Sequence, residues 1–171
     1  MKRLIHETPV GPLTLVSDGQ ALAAVVFEQP SRPVRLLAQT EPGTDAVLEE
    51  TRRQLDDYFA GRRRGFELPL APRGTAFQSR VWGALREIPF GMTRSYGHLA
   101  EALGSPKAVR AVGGANGANP IAIIIPCHRV IGASGELTGF SGGLHRKRFL
   151  LALESGQSTL APHPQVMPTL V

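Results

Sequence analysis

Residues 126 to 129, Pro126-Cys127-His128-Arg129, hold the only cysteine of the chain, directly after the apolar run Ile121-Ala122-Ile123-Ile124-Ile125. A buried strand that delivers one thiol into a turn, with a histidine beside it, suits nucleophilic chemistry. A free thiol has a pKa of about 8.5, so little of it is thiolate at neutral pH unless a neighbour helps. Histidine is the usual helper. The plainer alternative is an inert buried cysteine, a common fate for a lone one. Adjacency of Cys127 and His128 does not separate the two.

The elements that must hold this turn can be read in outline. Leu4 to Glu7, Leu13 to Val16 and Leu22 to Phe27 are strand-like, separated by Pro9-Val10-Gly11-Pro12 and Asp18-Gly19 turns. Residues 44–60 read as a helix capped by Thr44 or Asp45 and closed by Gly61, with Val47, Leu48, Leu55, Tyr58 and Phe59 as its apolar positions. Arg62-Arg63-Arg64 follows as a solvated loop, and Phe66 to Leu70 resembles a last strand. The spacing then predicts a helix from Thr75 or Ala76 to Glu87, broken by Pro89-Phe90-Gly91. Ser95 caps a short helix, Tyr96 to Leu103. Ser105-Pro106 opens the next, through Lys107 and Arg110 towards Gly113-Gly114, because serine suits the N-cap and proline the first helical position. Two short helices joined by a glycine turn make a helix-turn-helix candidate or a plain helical hairpin. Lys107 and Arg110, three apart, would share a face among small residues. Glycines weaken a helix, so their presence asks for a reason, and close approach to a phosphate backbone or a narrow groove is one.

Composition bounds the function. A chain of 171 residues can bury a real core. One cysteine excludes an internal disulfide framework and any multi-cysteine zinc site. Met1-Lys2-Arg3-Leu4-Ile5-His6 lacks the apolar stretch of a signal peptide, and no run approaches the roughly 20 apolar residues that span a bilayer. The expectation is a cytoplasmic protein that engages no membrane. Residues 1–70 carry a net charge of −1 and residues 71–171 a net of +6. A basic half beside a neutral one suits a polyanion partner, with solvated surface charge as the alternative. Gly113-Gly114-Ala115-Asn116-Gly117 fits neither a P-loop nor a dinucleotide fingerprint, so no cofactor is expected.

Phe77-Gln78 with Val81-Trp82, Ser95-Tyr96, Lys107 to Ala115, Asn119-Pro120, Ile125-Pro126-Cys127-His128-Arg129-Val130, Ser141-Gly142-Gly143 and Leu150 to Glu154 occur in one order. Over about residues 75–155 the chain resembles the O6-alkylguanine-DNA alkyltransferases, and Pro-Cys-His-Arg-Val with its upstream Ala-Val-Gly-Gly-Ala is highly specific. The N-terminal half is similar in outline only. The implied fold is α+β: a small ribonuclease-H-like α/β N-terminal domain over residues 1–70 and a linker over 71–76. A helical, winged helix-turn-helix-like catalytic domain follows over 77–155, with a flexible tail over 156–171.

The resemblance implies a role for each matching position. Cys127 would accept the alkyl group from guanine O6, and by the same chemistry from thymine O4, in a single irreversible event. His128 would act as base through a water, with Glu154 orienting it and stabilising its charge. Tyr96 would give its hydroxyl proton to guanine N3. The Ser141 amide would face O6, and the Cys127 and Val130 carbonyls would read the exocyclic amine. Asn119 would brace the nucleophile turn, and Lys147 would line the pocket loop. Arg110 would fill the stack after the base is flipped out, on a helix whose Lys107, Ala111, Gly113 and Gly114 lie against the minor groove. The implied partner is double-stranded DNA containing O6-alkylguanine. A monomer is expected, with cooperative assembly on DNA left open.

The chain departs from some relatives. A single cysteine leaves neither the zinc site nor the phosphotriester acceptor that some members carry. Phe140 stands where other members have tyrosine, which bears on which alkyl groups fit. Two other classes stay in view: a lesion-binding module without chemistry, against which Cys127 argues, and a cysteine hydrolase or thiol redox sensor, against which the basic C-terminal half and the Arg110 helix argue.

Overall fold

Alternating apolar residues in the first 27 positions fold into three antiparallel strands, β1 (Lys2–His6), β2 (Leu13–Ser17) and β3 (Leu22–Phe27). The computed structural model describes residues 1–30 and 34–156, so the expected tail lies, from residue 157 on, outside the described residues. A two-residue strand, β4 (Glu41–Pro42), joins β1 in parallel, and the order across the sheet is β3-β2-β1-β4. Pro42 is tolerated there because an edge strand needs no donor on its outer side. Every residue of β3 is buried. The strand is covered on both faces, which explains its unbroken apolar run. One face packs into the main core with Leu13, Leu15 and Leu55; the other, with Val16, Ala24 and Val26, lies under Val34, Leu36 and Leu37. The short 3₁₀ turn of Arg35–Gln39 carries two of these and has no periodic pattern to announce it.

Helix α1 (Ala46–Phe59) begins at Asp45, whose carboxylate accepts from the Leu48 amide at 2.9 Å. Helix α2 (Ala76–Arg86) starts with a reciprocal capping box between Thr75 and Gln78. Strand β5 (Arg94–Ser95) leads into α3 (Tyr96–Ala102), α4 (Val109–Gly117) packs on α2 and α3, and α5 (Leu144–Glu154) closes the described chain. Strand β6 (Val130–Ile131) pairs in parallel with β5, which sets Ser95 opposite Ile131. The mixed α+β class holds: a small sheet in the N-terminal half, helices in the C-terminal half. The two halves share one core, in which Leu15 and Leu22 of the sheet join Trp82, Leu85, Ile121 and Leu150.

Three expected elements differ. Phe66 to Leu70 forms no strand; Pro69 lacks an N–H, and only an isolated bridge between Leu22 and Leu70 remains, with the Leu22 amide donating to the Pro69 carbonyl at 2.8 Å. Ser105-Pro106 does not start α4. The Ala108 amide donates to the Ser105 carbonyl in a separate turn, and the helix begins at Val109 and runs through all three glycines to Gly117. Lys107 therefore sits in that turn and shares no helix face with Arg110. The run Ile121 to Ile125 is not a strand either. It touches the sheet at one bridge, Val25 to Ile121, and then folds back on itself.

Candidate active site

The turn that carries Cys127 is built from tight backbone bonds. The Ala122 amide donates to the Val25 carbonyl at 3.1 Å and the Val25 amide to the Pro120 carbonyl at 2.9 Å, anchoring the segment to β3. Ile123 then adopts a φ of +72°, a conformation that β-branched residues rarely take. The Ile124 amide reaches back to the Ala122 carbonyl (2.8 Å), and the Cys127 amide to the Ile125 carbonyl (2.8 Å). These are successive three-residue γ-type turns, the second centred on Pro126 with φ −82° and ψ 63°. Asn119 spans the loop: its side-chain nitrogen donates to the Ile125 carbonyl at 2.7 Å, and its oxygen accepts from the Ile121 amide at 3.0 Å. Cys127 to Arg129 form one 3₁₀ turn, and Cys127 is buried. Burying the apolar run is what holds Ile123 in its strained conformation.

Behind the thiol lies a buried charge cluster. Glu154, at the end of α5, accepts from four donors. They are His128 Nε2 at 2.7 Å, the Tyr58 hydroxyl at 2.7 Å, and Arg129 Nε and Nη2 at 2.8 and 2.9 Å. Arg129 also donates to the Ile88 carbonyl at 2.7 Å. Burial pushes the Glu154 carboxyl up, but the hydrogen bonds and charges of His128 and Arg129 outweigh it and hold the pKa at about 2. An ionised carboxylate only accepts, so Nε2 of His128 is the protonated nitrogen and Nδ1 carries the lone pair. Nδ1 is buried and has no partner among the described residues.

Burial pushes the Cys127 thiol up, against the smaller opposing pull of Asn119 and the Lys147 charge. Burial likewise pushes His128 down, against Glu154. At rest the pair is therefore a neutral thiol beside a neutral imidazole. Glu154 favours an imidazolium, but burial outweighs it for both groups, because both charged forms lose their hydration in this core.

The remaining residues fall into two groups. Around the turn, Lys147 is fully buried, not solvated, and its ammonium donates to the Val130 carbonyl at 2.5 Å and the Thr138 carbonyl at 3.1 Å. The Tyr96 hydroxyl donates to the same Thr138 carbonyl at 3.2 Å. Ser141 and Phe140 lie half-buried on the loop between β6 and α5, and the Ser141 amide donates to no group among the described residues. On α4, Arg110, Ala111 and Gly114 are exposed, as is Lys107 before it. Gly113 faces inward, where an added Cβ would lie 3.8 Å from the Tyr96 ring. Ala115 accepts through its carbonyl from Trp82 Nε1 at 2.9 Å. Part of the small-residue run thus serves helix packing, and part leaves an outer face without bulk.

Sequence reasoning passes over Tyr58 and Arg129. Tyr58 reads as one more apolar position of α1, and only the tertiary fold carries its hydroxyl to Glu154, 96 residues on. Arg129 stands inside the Pro-Cys-His-Arg turn, and its place beside the nucleophile is the one available signal. No group of three or more His, Cys, Asp or Glu side chains among the described residues could hold a metal ion. No helix among them is long and apolar enough to cross a membrane.

The 6-O-methylguanine DNA methyltransferase DNA binding domain matches residues 76–156, and the ribonuclease-like domain of the same methyltransferases matches residues 1–72. The chain belongs to the 6-O-methylguanine DNA methyltransferase family. The methylated-DNA–protein-cysteine methyltransferase of Methanosarcina acetivorans is 50% identical over 150 residues, 88% of this chain and 96% of that one. The enzyme of the same description from Mycobacterium bovis is 52% identical over 153 residues, 89% of this chain and 91% of that one. Among solved structures, Mycobacterium tuberculosis OGT in complex with DNA superimposes with a TM-score of 0.84 at 47% identity, covering 92% of this chain and 95% of that one. Within this methyltransferase family the single cysteine of the chain is Cys127.

Proposed function

We propose that this methyltransferase repairs DNA by taking the alkyl group from O6-alkylguanine, and from O4-alkylthymine, onto Cys127, once per molecule. The observation that carries the reading is the buried Cys127–His128–Glu154 set, with Nε2 tied to an ionised carboxylate and Nδ1 left as a free base. The thiol proton passes to His128 Nδ1 through a water, and Glu154 stabilises the imidazolium that forms. Sulfur attacks the alkyl carbon as the C–O6 bond breaks, so a C–S bond replaces a C–O bond. Negative charge left on guanine is met by the Tyr96 hydroxyl proton at N3 and the Ser141 amide at O6. The carbonyls offered to the exocyclic amine are those of Cys127 and Val130, of which Val130 already accepts from Lys147. Water does not cleave the resulting thioether, so the acceptor is spent.

A base within a duplex cannot bring O6 to a buried thiol, so it must leave the stack. The exposed outer face of α4 supports minor-groove entry with Arg110 filling the gap. The deciding experiment is intact mass after mixing with excess O6-methylguanine duplex. The expected result is one added methyl, on Cys127, and repair that stops at one lesion per protein. Continued turnover, or methylation at another residue, would sink the stoichiometric reading.

Arg110→Ala separates flipping from chemistry. Unstacking costs a few kcal/mol in a duplex and nothing for a free base, and about 1.4 kcal/mol is tenfold in rate. The variant should repair duplex at least about tenfold more slowly and react with free O6-benzylguanine at nearly the wild-type rate. Equal losses on both substrates would refute the wedge.

A further inference from the structure

The loop between β6 and α5, which carries Phe140 and Ser141, is held from outside its own half of the chain. Arg146, on the first turn of α5, donates through Nε to the Val10 carbonyl at 2.8 Å. Through Nη1 it donates to the Gly142 carbonyl at 3.0 Å and the Glu28 carbonyl at 3.2 Å. One guanidinium thus joins the β1–β2 turn, the end of β3 and the pocket loop. Its carbon lies 5.2 Å from the centroid of the Phe27 ring, within cation–π range. Phe27 in turn meets Phe140 edge-on at 5.5 Å between centroids.

Gly142 shows how tight this seat is. A Cβ there would come within 2.5 Å of the Phe27 ring and 2.9 Å of the Phe140 ring, so the loop backbone lies against the last residue of β3. Hydrogen bonds from a charged donor are stronger than neutral ones, and three of them converge on one rigid planar group. The neighbouring Lys147 holds the start of the same loop through the Thr138 carbonyl. Arg146 ties its far end to the sheet through hydrogen bonds, and Phe27 through its ring.

We infer that Arg146, with Phe27, is a positioning residue for alkyl transfer: it sets the Ser141 amide and the Phe140 wall of the pocket against the N-terminal sheet. This rests on the alkyl-transfer reading, in which that amide faces O6. Arg146 touches no reacting atom. Its effect belongs to the transfer step, because displacing a positioned donor by about 1 Å can cost on the order of a hundredfold in rate. Its partners Val10, Glu28, Gly142 and Phe27 are not on α4, so DNA affinity should be untouched.

The test is single-turnover kinetics of Arg146→Ala and Arg146→Lys on O6-methylguanine duplex and on free O6-benzylguanine, well below each protein's melting temperature. The rate at saturating duplex should fall about tenfold or more in Arg146→Ala, with the half-saturating duplex concentration unchanged. The free base should lose as much, and Arg146→Lys, keeping one donor, should recover part of the rate. Where Arg146→Ala fails to fold, Phe27→Leu carries the test through a changed ratio of benzyl to methyl transfer. A saturating rate equal to wild type in a folded Arg146→Ala, or an unchanged ratio in Phe27→Leu, would overturn the assignment. No transfer by the wild-type protein would overturn the alkyl-transfer reading and this one with it.

Discussion

Cys127→Ser is expected to bind an O6-methylguanine duplex with wild-type affinity and to transfer nothing measurable. A hydroxyl is far less acidic than a thiol, and the burial that already pushes the Cys127 thiol up would suppress an alkoxide further. His128, itself pushed down by burial, cannot make up that difference. Affinity for DNA should survive, because the groups proposed to meet the duplex, Arg110 and Ala111 on α4 and Lys107 before it, are exposed, whereas Cys127 is buried. Binding in that variant should still weaken with salt, as release of counterions from the phosphates requires. Mobility shift of the labelled duplex and intact mass of the protein measure the two halves of the expectation separately. A serine variant that still gains a methyl would place the acceptor elsewhere, and one that loses binding would put the thiol turn itself in contact with DNA.

Glu154→Gln should damage both stability and chemistry. The carboxylate is the common acceptor for His128, Arg129 and Tyr58, and removing its charge leaves the Arg129 guanidinium buried beside a neutral amide. Breaking one side of a buried pair costs about 3–5 kcal/mol. The depression of the Glu154 pKa from 4.5 to about 2 corresponds to about 3 kcal/mol at neutral pH. Its sign is that of a carboxylate with a depressed folded pKa: the stabilisation is complete above about 4.5 and is lost as pH falls through about 2. His128 adds to acid lability, since the unfolded chain takes up a proton near 6.5 that the buried ring resists. Wild-type stability should therefore decline from about pH 6.5 downward, and the segment of that decline between 4.5 and 2 should be weaker in Glu154→Gln. Chemical denaturation at a series of pH values measures both limbs.

The chemical cost has the same origin. Glu154 is what raises His128 against the cost of burial, so the glutamine variant makes a poorer base. Alkyl transfer should slow about a hundredfold, within the range general bases contribute, and the acid limb of its pH profile, set by protonation of His128, should move to lower pH. A folded variant with wild-type rate and profile would leave Glu154 a structural anchor for Arg129.

The sequence alone determined what depends on local chemistry. The Ser95 cap, a cap at Thr44 or Asp45 and a helix start at Thr75 or Ala76 all follow from neighbours a few residues apart, and the structure takes Asp45 and Thr75 from those pairs. The Pro-Cys-His-Arg-Val stretch and its Ala-Val-Gly-Gly-Ala companion carried the family, because few chemistries require that order of residues. What only the tertiary structure decided are the features that depend on distant partners. Ile121 to Ile125 has the composition of a strand, yet it becomes a double turn because Val25 takes one bridge and the core takes the rest. Ser105-Pro106 carries a helix start, but α4 begins later, where packing on α2 and α3 sets its register. Lys147, which the resemblance sets along the pocket loop, is enclosed there by the Val130 carbonyl of β6 and the Thr138 carbonyl of the loop. Tyr58 and Arg146 show the same limit. A side chain's hydrogen-bonding partner 96 or 136 residues away leaves no mark on its own neighbourhood, and the charge state of the thiol follows from burial that only the assembled core creates.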